Sequence, residues 1–202
     1  MTARFAPEES TSEESTGKDA LRRRLRTELA RLDPDATADA ARAMAHRVLD
    51  LPEVRTAHGV MVCLSFGVEL DTGPLVDGLL AAEKTVFVPR IERKGRRLTL
   101  HPYPCPLETL RFGLQQPTPD APALAAYAID HSIDVALLLG LGFTRSGWRL
   151  GHGGGYFDRF LVDRPFPAIG LAHGAQILDH LDVEDHDIPM DAVVTESRVH
   201  RR

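Results

Sequence analysis

The residues from Gly140 to Arg159 read GLGFTRSGWRLGHGGGYFDR, and they carry the types needed to grip a polyphosphate. Gly151, Gly153, Gly154 and Gly155 remove side chains where a backbone must approach a ligand closely. Successive backbone N–H groups entering a helix can surround a phosphate, and the helix dipole favours its charge. Arg149 adds a planar, permanently charged fork. Asp158 stands on the expected first helical turn, where a carboxylate can hold a Mg²⁺ bound to phosphate oxygens. The string is not a GxxxxGK[ST] loop, and it fails GxGxxG because Tyr156 stands at the third glycine's place. Glycine content alone would equally suit a flexible surface loop. The ordered combination Arg-Leu-Gly-x-Gly-x-Gly-Tyr-x-Asp-Arg is far more specific than that content.

Such a turn must be held by a frame, and the hydrophobic pattern supplies one. Leu21, Leu25, Leu29 and Leu32 recur at three- and four-residue steps, predicting a helix from near Lys18 that Pro34 stops. A second helix fits 37–50. The continuous apolar runs 59–64 and 133–139 read as strands buried on both faces. A helix over 72–83, a strand at 85–89, an extra strand at 98–101 after a basic turn, and strands at 167–172 and 191–195 complete the pattern. Residues 104–127 are Pro-rich and read as mostly loop, and a helix is expected near 155–162. Alternating strands and helices predict an α/β fold: a three-layer, doubly wound, mostly parallel sheet. Ligands in such sheets bind beyond the strands' carboxyl ends, which selects the loops after Leu64, Val88 and Leu139. One domain spans 18–202. Residues 1–17, rich in Ser, Thr and Glu, have little to bury and are expected to be disordered.

Composition narrows the function classes. The 202 residues carry a formal net charge of −5, which argues against broad nucleic-acid or anionic-membrane binding. No apolar run is long enough to span a bilayer, and the acidic N-terminus lacks a signal peptide's apolar core, so a cytoplasmic protein is expected. Cys63 and Cys105 form neither a CxxC pair nor a zinc spacing, and Cys63 reads as a small buried hydrophobe. There is no Ser-His-Asp or Cys-His signature of a protein nucleophile.

Arg149-Leu150-Gly151-His152-Gly153-Gly154-Gly155-Tyr156-Phe157-Asp158-Arg159 resembles the signature of the 5-formyltetrahydrofolate cyclo-ligase (5,10-methenyltetrahydrofolate synthetase) family. Phe157 stands where that family commonly has a second Tyr, His152 where it has Tyr, Arg or similar, and Leu139-Gly140 where it often has Pro-Gly. Lys18-Asp19-Ala20-Leu21-Arg22, Ser65-Phe66-Gly67-Val68-Glu69 and Asp187-Ile188-Pro189-Met190-Asp191 resemble three further family segments, so the likeness runs over 18–197. The resemblance implies a fold similar to the NagB/RpiA/CoA-transferase-like class. It implies cyclisation of 5-formyltetrahydrofolate to 5,10-methenyltetrahydrofolate with ATP as co-substrate and Mg²⁺ as cofactor. It implies Lys18, Arg149 and Tyr156 as catalytic groups. Lys18, Arg22, Arg149, Leu150, Gly151, His152, Gly153, Gly154, Gly155, Tyr156 and Phe157 would contact ATP. Leu64, Glu69, His152, Gly153, Gly154, Gly155 and Tyr156 would contact the reduced folate, with or without a polyglutamate tail, and Asp158 and Asp187 would hold Mg²⁺. A monomer acting on small molecules, with neither nucleic acid nor membrane as partner, is expected.

Plainer readings stand beside these. Lys18 and Arg22 could be a solvated helix face, and Glu69 a surface loop residue. His180, Asp182, Glu184, Asp185, His186 and Asp187 invite a transition-metal reading, but their spacing matches no ligand motif, and a solvated acidic loop fits as well. Arg90, Arg93, Lys94, Arg96 and Arg97 could attract a glutamate tail or simply form a solvated turn. Two other functions compete: a non-catalytic phosphosugar- or nucleotide-binding sensor of the same fold, and a diverged ATP-dependent enzyme acting on another amide metabolite.

Overall fold

The computed structural model describes residues 17–202. The expected N-terminal tail therefore lies outside the described residues, except for Gly17, which opens the first helix. The helices are α1 (Gly17–Leu29), α2 (Pro34–Leu49), α3 (Pro52–Thr56), α4 (Gly73–Ala81), α5 (Ile129–Ser132) and α6 (Tyr156–Leu161). The strands are β1 (Gly59–Val62), β2 (Thr85–Glu92), β3 (Arg97–Tyr103), β4 (Leu107–Thr109), β5 (Gln115–Pro117), β6 (Val135–Leu138), β7 (Gly142–Thr144), β8 (Arg149–Leu150), β9 (Ala168–Leu171), β10 (Ile177–Leu178), β11 (Ala192–Val194) and β12 (Val199–Arg201).

Seven strands form one sheet in the order β12-β11-β9-β6-β1-β2-β3. The five inner strands are parallel, and the edge strands β3 and β12 run antiparallel to their neighbours. In β1, β6, β9 and β11 every residue is buried, which is why they read as unbroken apolar runs rather than alternating ones. Val60 pairs with Val86 on one side and Val135 on the other, so β1 is flanked by the next strand of the chain and by a much later one. The winding direction reverses there, between β1 and β6.

A second, smaller cluster of Leu25, Leu141, Leu150, Leu178 and Leu181 sits apart from the main core, with Leu21, Val68 and Trp148 against it. It joins α1 to a three-stranded sheet ordered β10-β7-β8. The leucine stripe of α1 thus docks on the hairpin that leads into the glycine turn, and this brings Lys18 and Arg22 toward it.

Several local expectations are corrected. Pro34 does not stop the first helix. It starts α2, with the Asp33 side chain accepting from the Ala36 N–H at 2.9 Å as N-cap, since a proline's missing N–H costs nothing in a first turn. Arg90 and Glu92 belong to β2, which folds into a hairpin with β3, so the turn is shorter than 90–97. The stretch expected as loop contains the β4–β5 hairpin. The segment between β6 and the glycine turn holds β7 and β8, and β12 follows the strand expected to be last.

Candidate active site

A cavity of about 360 Å³ opens at the carboxyl ends of β1 and β6, where the winding reverses. Leu64, just past β1, and Leu139, just past β6, line it, as does Pro89 of β2. The loops after Leu64 and Leu139 therefore meet at one place, while the expected loop after Val88 is instead strand, since β2 continues to Glu92 and presents Pro89 to the cavity. Lys18 and Arg22 face the cavity from α1, the run from Arg149 to Arg159 forms another wall, and Glu184, His186 and Asp187 close it from the C-terminal acidic segment. Every residue that the family resemblance assigned to ATP, folate or metal lines this cavity: Lys18, Arg22, Leu64, Glu69, Arg149, Leu150, Gly151, His152, Gly153, Gly154, Gly155, Tyr156, Phe157, Asp158 and Asp187.

The glycine turn adopts its shape for a backbone reason. Gly153 and Gly155 have φ of 101° and 59°, a region that side-chain-bearing residues avoid. Gly155 caps α6, whose six residues give a smaller dipole than the sequence pattern suggests. Negative charge at this site must be met mainly by backbone N–H groups and by the cations around the turn. Arg22 donates from Nε to the Gly151 carbonyl at 2.9 Å, tying α1 to the turn. Arg159 donates to the Gly154 carbonyl at 2.6 Å and lies over the Tyr156 ring at 5.5 Å.

The cations are engaged with carboxylates. Lys18 Nζ lies 2.8 Å from Asp187 Oδ2 and 2.9 Å from Glu184 Oε1. Burial lowers the Lys18 pKa, but the hydrogen bonds and charges of these two carboxylates outweigh it and hold the ammonium above its ordinary value. For Asp187, burial is likewise overcome, by Lys18 and by the Glu184 backbone N–H, and its carboxyl is held below the ordinary range. Arg149 Nη2 lies 3.2 Å from both oxygens of Asp158. The Arg149 guanidinium sits 5.4 Å from the Phe157 ring, and its Nε is buried without a hydrogen-bond partner.

Elsewhere in the cavity wall, the Glu69 side chain is 4% exposed and accepts from His152 Nε2 at 2.9 Å and from the Phe66 N–H at 3.3 Å. Arg26 Nη2 lies 3.4 Å from His152 Nδ1. A guanidinium only donates, so Nδ1 accepts and Nε2 carries the hydrogen toward Glu69. Phe66 packs on the His152 ring at 5.0 Å. Cys63 also touches the cavity, but burial, opposed by the Leu139 backbone hydrogen bond and aided by the Glu69 charge, pushes its thiol up to about 12, which disfavours the thiolate needed for nucleophilic work.

Sequence reasoning missed part of the wall. Phe66, Gln115 and Gln116 line it without having been singled out for the pocket, whereas Arg96 of the basic cluster considered for a glutamate tail does reach the wall. Gln115 and Gln116 lie in a Pro-rich stretch with no period to flag them. The acidic segment divides: His180 and Asp182 are 83% and 80% exposed and pair with each other, while Glu184, His186 and Asp187 reach the cavity. Among the described residues no group of three or more His, Cys, Asp or Glu could hold a metal by itself. A Mg²⁺ carried by phosphates needs only one or two protein carboxylates, and Asp158 and Asp187 in the same cavity fit that requirement.

A sequence model of the 5-formyltetrahydrofolate cyclo-ligase family matches residues 14–196. The chain belongs to that family. It is 35% identical over 174 residues to the 5-formyltetrahydrofolate cyclo-ligase of Escherichia coli (strain K12), covering 83% of this chain and 94% of the relative. It is 36% identical over 149 residues to the enzyme of that name from Mycolicibacterium smegmatis, covering 69% of this chain and 75% of the relative. The NMR structure of Aquifex aeolicus 5,10-methenyltetrahydrofolate synthetase superposes with a TM-score of 0.77 at 26% identity, covering 91% of this chain and 92% of that one. The mixed α/β architecture with its mostly parallel sheet is thus shared with a family member.

Proposed function

We propose that this chain cyclises 5-formyltetrahydrofolate to 5,10-methenyltetrahydrofolate, converting ATP to ADP and phosphate. The observation that carries the reading is the meeting of Lys18, Arg22, Arg149 and the glycine turn with Glu69 in one cavity. The formyl oxygen is a poor leaving group. Transfer of the γ-phosphoryl group to that oxygen gives an iminium phosphate. N10 then attacks the activated carbon and loses its proton, and phosphate departs with the former formyl oxygen as the ring closes.

Phosphoryl transfer asks for alignment and for stabilisation of spreading negative charge rather than for covalent help. Lys18, Arg22 and Arg149 supply cations, and Gly151 to Gly155 supply close backbone approach. Leu150, Phe157 and His152 would pack around the nucleotide. Asp158 and Asp187 would hold Mg²⁺, which supplies charge neutralisation between phosphates when bound. Glu69, oriented by His152, would accept hydrogen bonds from the pterin, with Leu64 and Tyr156 bounding the ring. Fixing N10 beside the formyl carbon is a proximity effect, which in favourable cases lowers a barrier by about 7–11 kcal/mol. Arg96 in the cavity wall and the exposed Arg93 and Lys94 on the same turn would attract a polyglutamate tail.

The proposal includes a monomer in the cytoplasm. No helix among the described residues is long and apolar enough to cross a membrane. Purified protein should hydrolyse ATP only when 5-formyltetrahydrofolate is added, with methenyl product absorbance rising in step. ATP hydrolysis indifferent to the folate, or sugar-phosphate binding in its place, would contradict the reading.

A further inference from the structure

Two of the three cations assigned to phosphate are each already neutralised by a carboxylate assigned to metal. Lys18 is paired with Asp187, and Arg149 with Asp158. The pairs are well shielded: the side chains are 13% and 15% exposed in the first and 4% and 13% in the second. Removing one partner from a shielded ion pair leaves an uncompensated charge, which costs more than the pair itself contributes. A nucleotide arriving without metal would draw Lys18 and Arg149 toward its phosphates and strand both carboxylates. A nucleotide arriving with Mg²⁺ would give all four groups a new partner. The unpartnered Nε of Arg149 adds an independent sign that this guanidinium is short of an acceptor.

We infer that the Lys18–Asp187 and Arg149–Asp158 pairs form a partner-exchange lock that makes nucleotide and divalent cation bind synergistically. The inference rests on the reading above that nucleotide phosphates occupy this cavity. It differs from a general preference for metal-bound nucleotide, because it assigns the penalty on the metal-free form to breaking two named pairs.

Calorimetric titration with ADP, in EDTA and in excess Mg²⁺, separates these cases. Asp187→Asn removes the shielded partner of Lys18 and leaves it only Glu184, whose side chain is 56% exposed and whose pair is therefore weak, so this variant should bind metal-free ADP on the order of tenfold tighter than wild type, within the span of typical coupling energies. Its enhancement by Mg²⁺ should shrink to match. The gain should vanish when Asp187→Asn is made in a Lys18→Met background, since no cation is left to release. The cycle of Asp158→Asn with Arg149→Met tests the second pair independently, and thermal melts verify that each variant is folded. The lock is overturned if Asp187→Asn leaves metal-free affinity unchanged, or if the gain persists without Lys18, which is the mark of simple charge repulsion. Wild type failing to bind ADP with or without Mg²⁺ would instead remove the nucleotide-site reading, and the lock with it.

Discussion

Arg149 combines near-complete burial, a carboxylate partner, an aromatic neighbour and a buried donor left over. A guanidinium so placed is held on Asp158 until a ligand offers its fork another acceptor. Arg149→Ala should lower kcat/KM on the order of a hundredfold or more, the usual effect of losing one charge-assisted contact in a transition state. Circular dichroism should show the variant folded. His152 acts at shorter reach: it donates to Glu69 and accepts from Arg26. His152→Gln keeps an amide donor for Glu69 and should raise KM for the folate less than His152→Ala does, with KM for ATP as the internal comparison. Equal effects of the two variants would mean that the hydrogen bond to Glu69 does not matter. The specificity of the glycine turn is legible in the sequence because its backbone demands are written in residue type. The pairing of His152 with Glu69, 83 residues apart, is not.

At the scale of elements, α1 matters because it carries two cavity cations on a helix held by leucines. Leu25 is 1% exposed and sits in the small cluster with Leu141 and Leu150. Leu25→Ala should destabilise the protein by about 2–5 kcal/mol and loosen Lys18 and Arg22 together. Denaturant melts and KM for ATP would report the two consequences. The β1–β6 join depends on Asp134, whose carboxylate accepts from the Gly59 N–H at 2.9 Å and the His58 N–H at 2.7 Å. The Gly59 bond holds this carboxyl below its ordinary value, burial opposes it, and the His58 bond adds to it. A depressed carboxyl contributes stability above its unfolded pKa, about 3.9, and that contribution disappears as pH falls through the folded value. Melting temperature should therefore fall below about pH 4, and Asp134→Asn should lose less over that window than wild type. The leucine spacing makes α1 legible. Pro34 misleads because proline both ends helices and begins them, and Asp33 as N-cap decides between the two. The strands β7, β8 and β10 have three residues or fewer, and β10 pairs with β7 across a long separation, so no local period marks them.

Across the whole molecule, five parallel strands wind outward in two directions from β1 and β6, and the cavity lies at their carboxyl ends. Two arrivals complete it: α1 from the start of the chain and the acidic segment from near the end. Met190 donates to the Gly147 carbonyl at 2.8 Å, fastening that acidic segment to the β7–β8 hairpin. The sheet and its ligand-binding end follow from buried apolar runs in the sequence. That Asp187 would face Lys18 follows only from tertiary packing.

The formyl oxygen offers the most direct measurement. With 5-formyltetrahydrofolate carrying ¹⁸O in its formyl group, each turnover should transfer that oxygen to the phosphate released from ATP. Phosphate enriched by one ¹⁸O per methenyltetrahydrofolate formed is the expected result. Unlabelled phosphate, with the isotope appearing in water, would contradict activation of the formyl oxygen by phosphoryl transfer in this cavity.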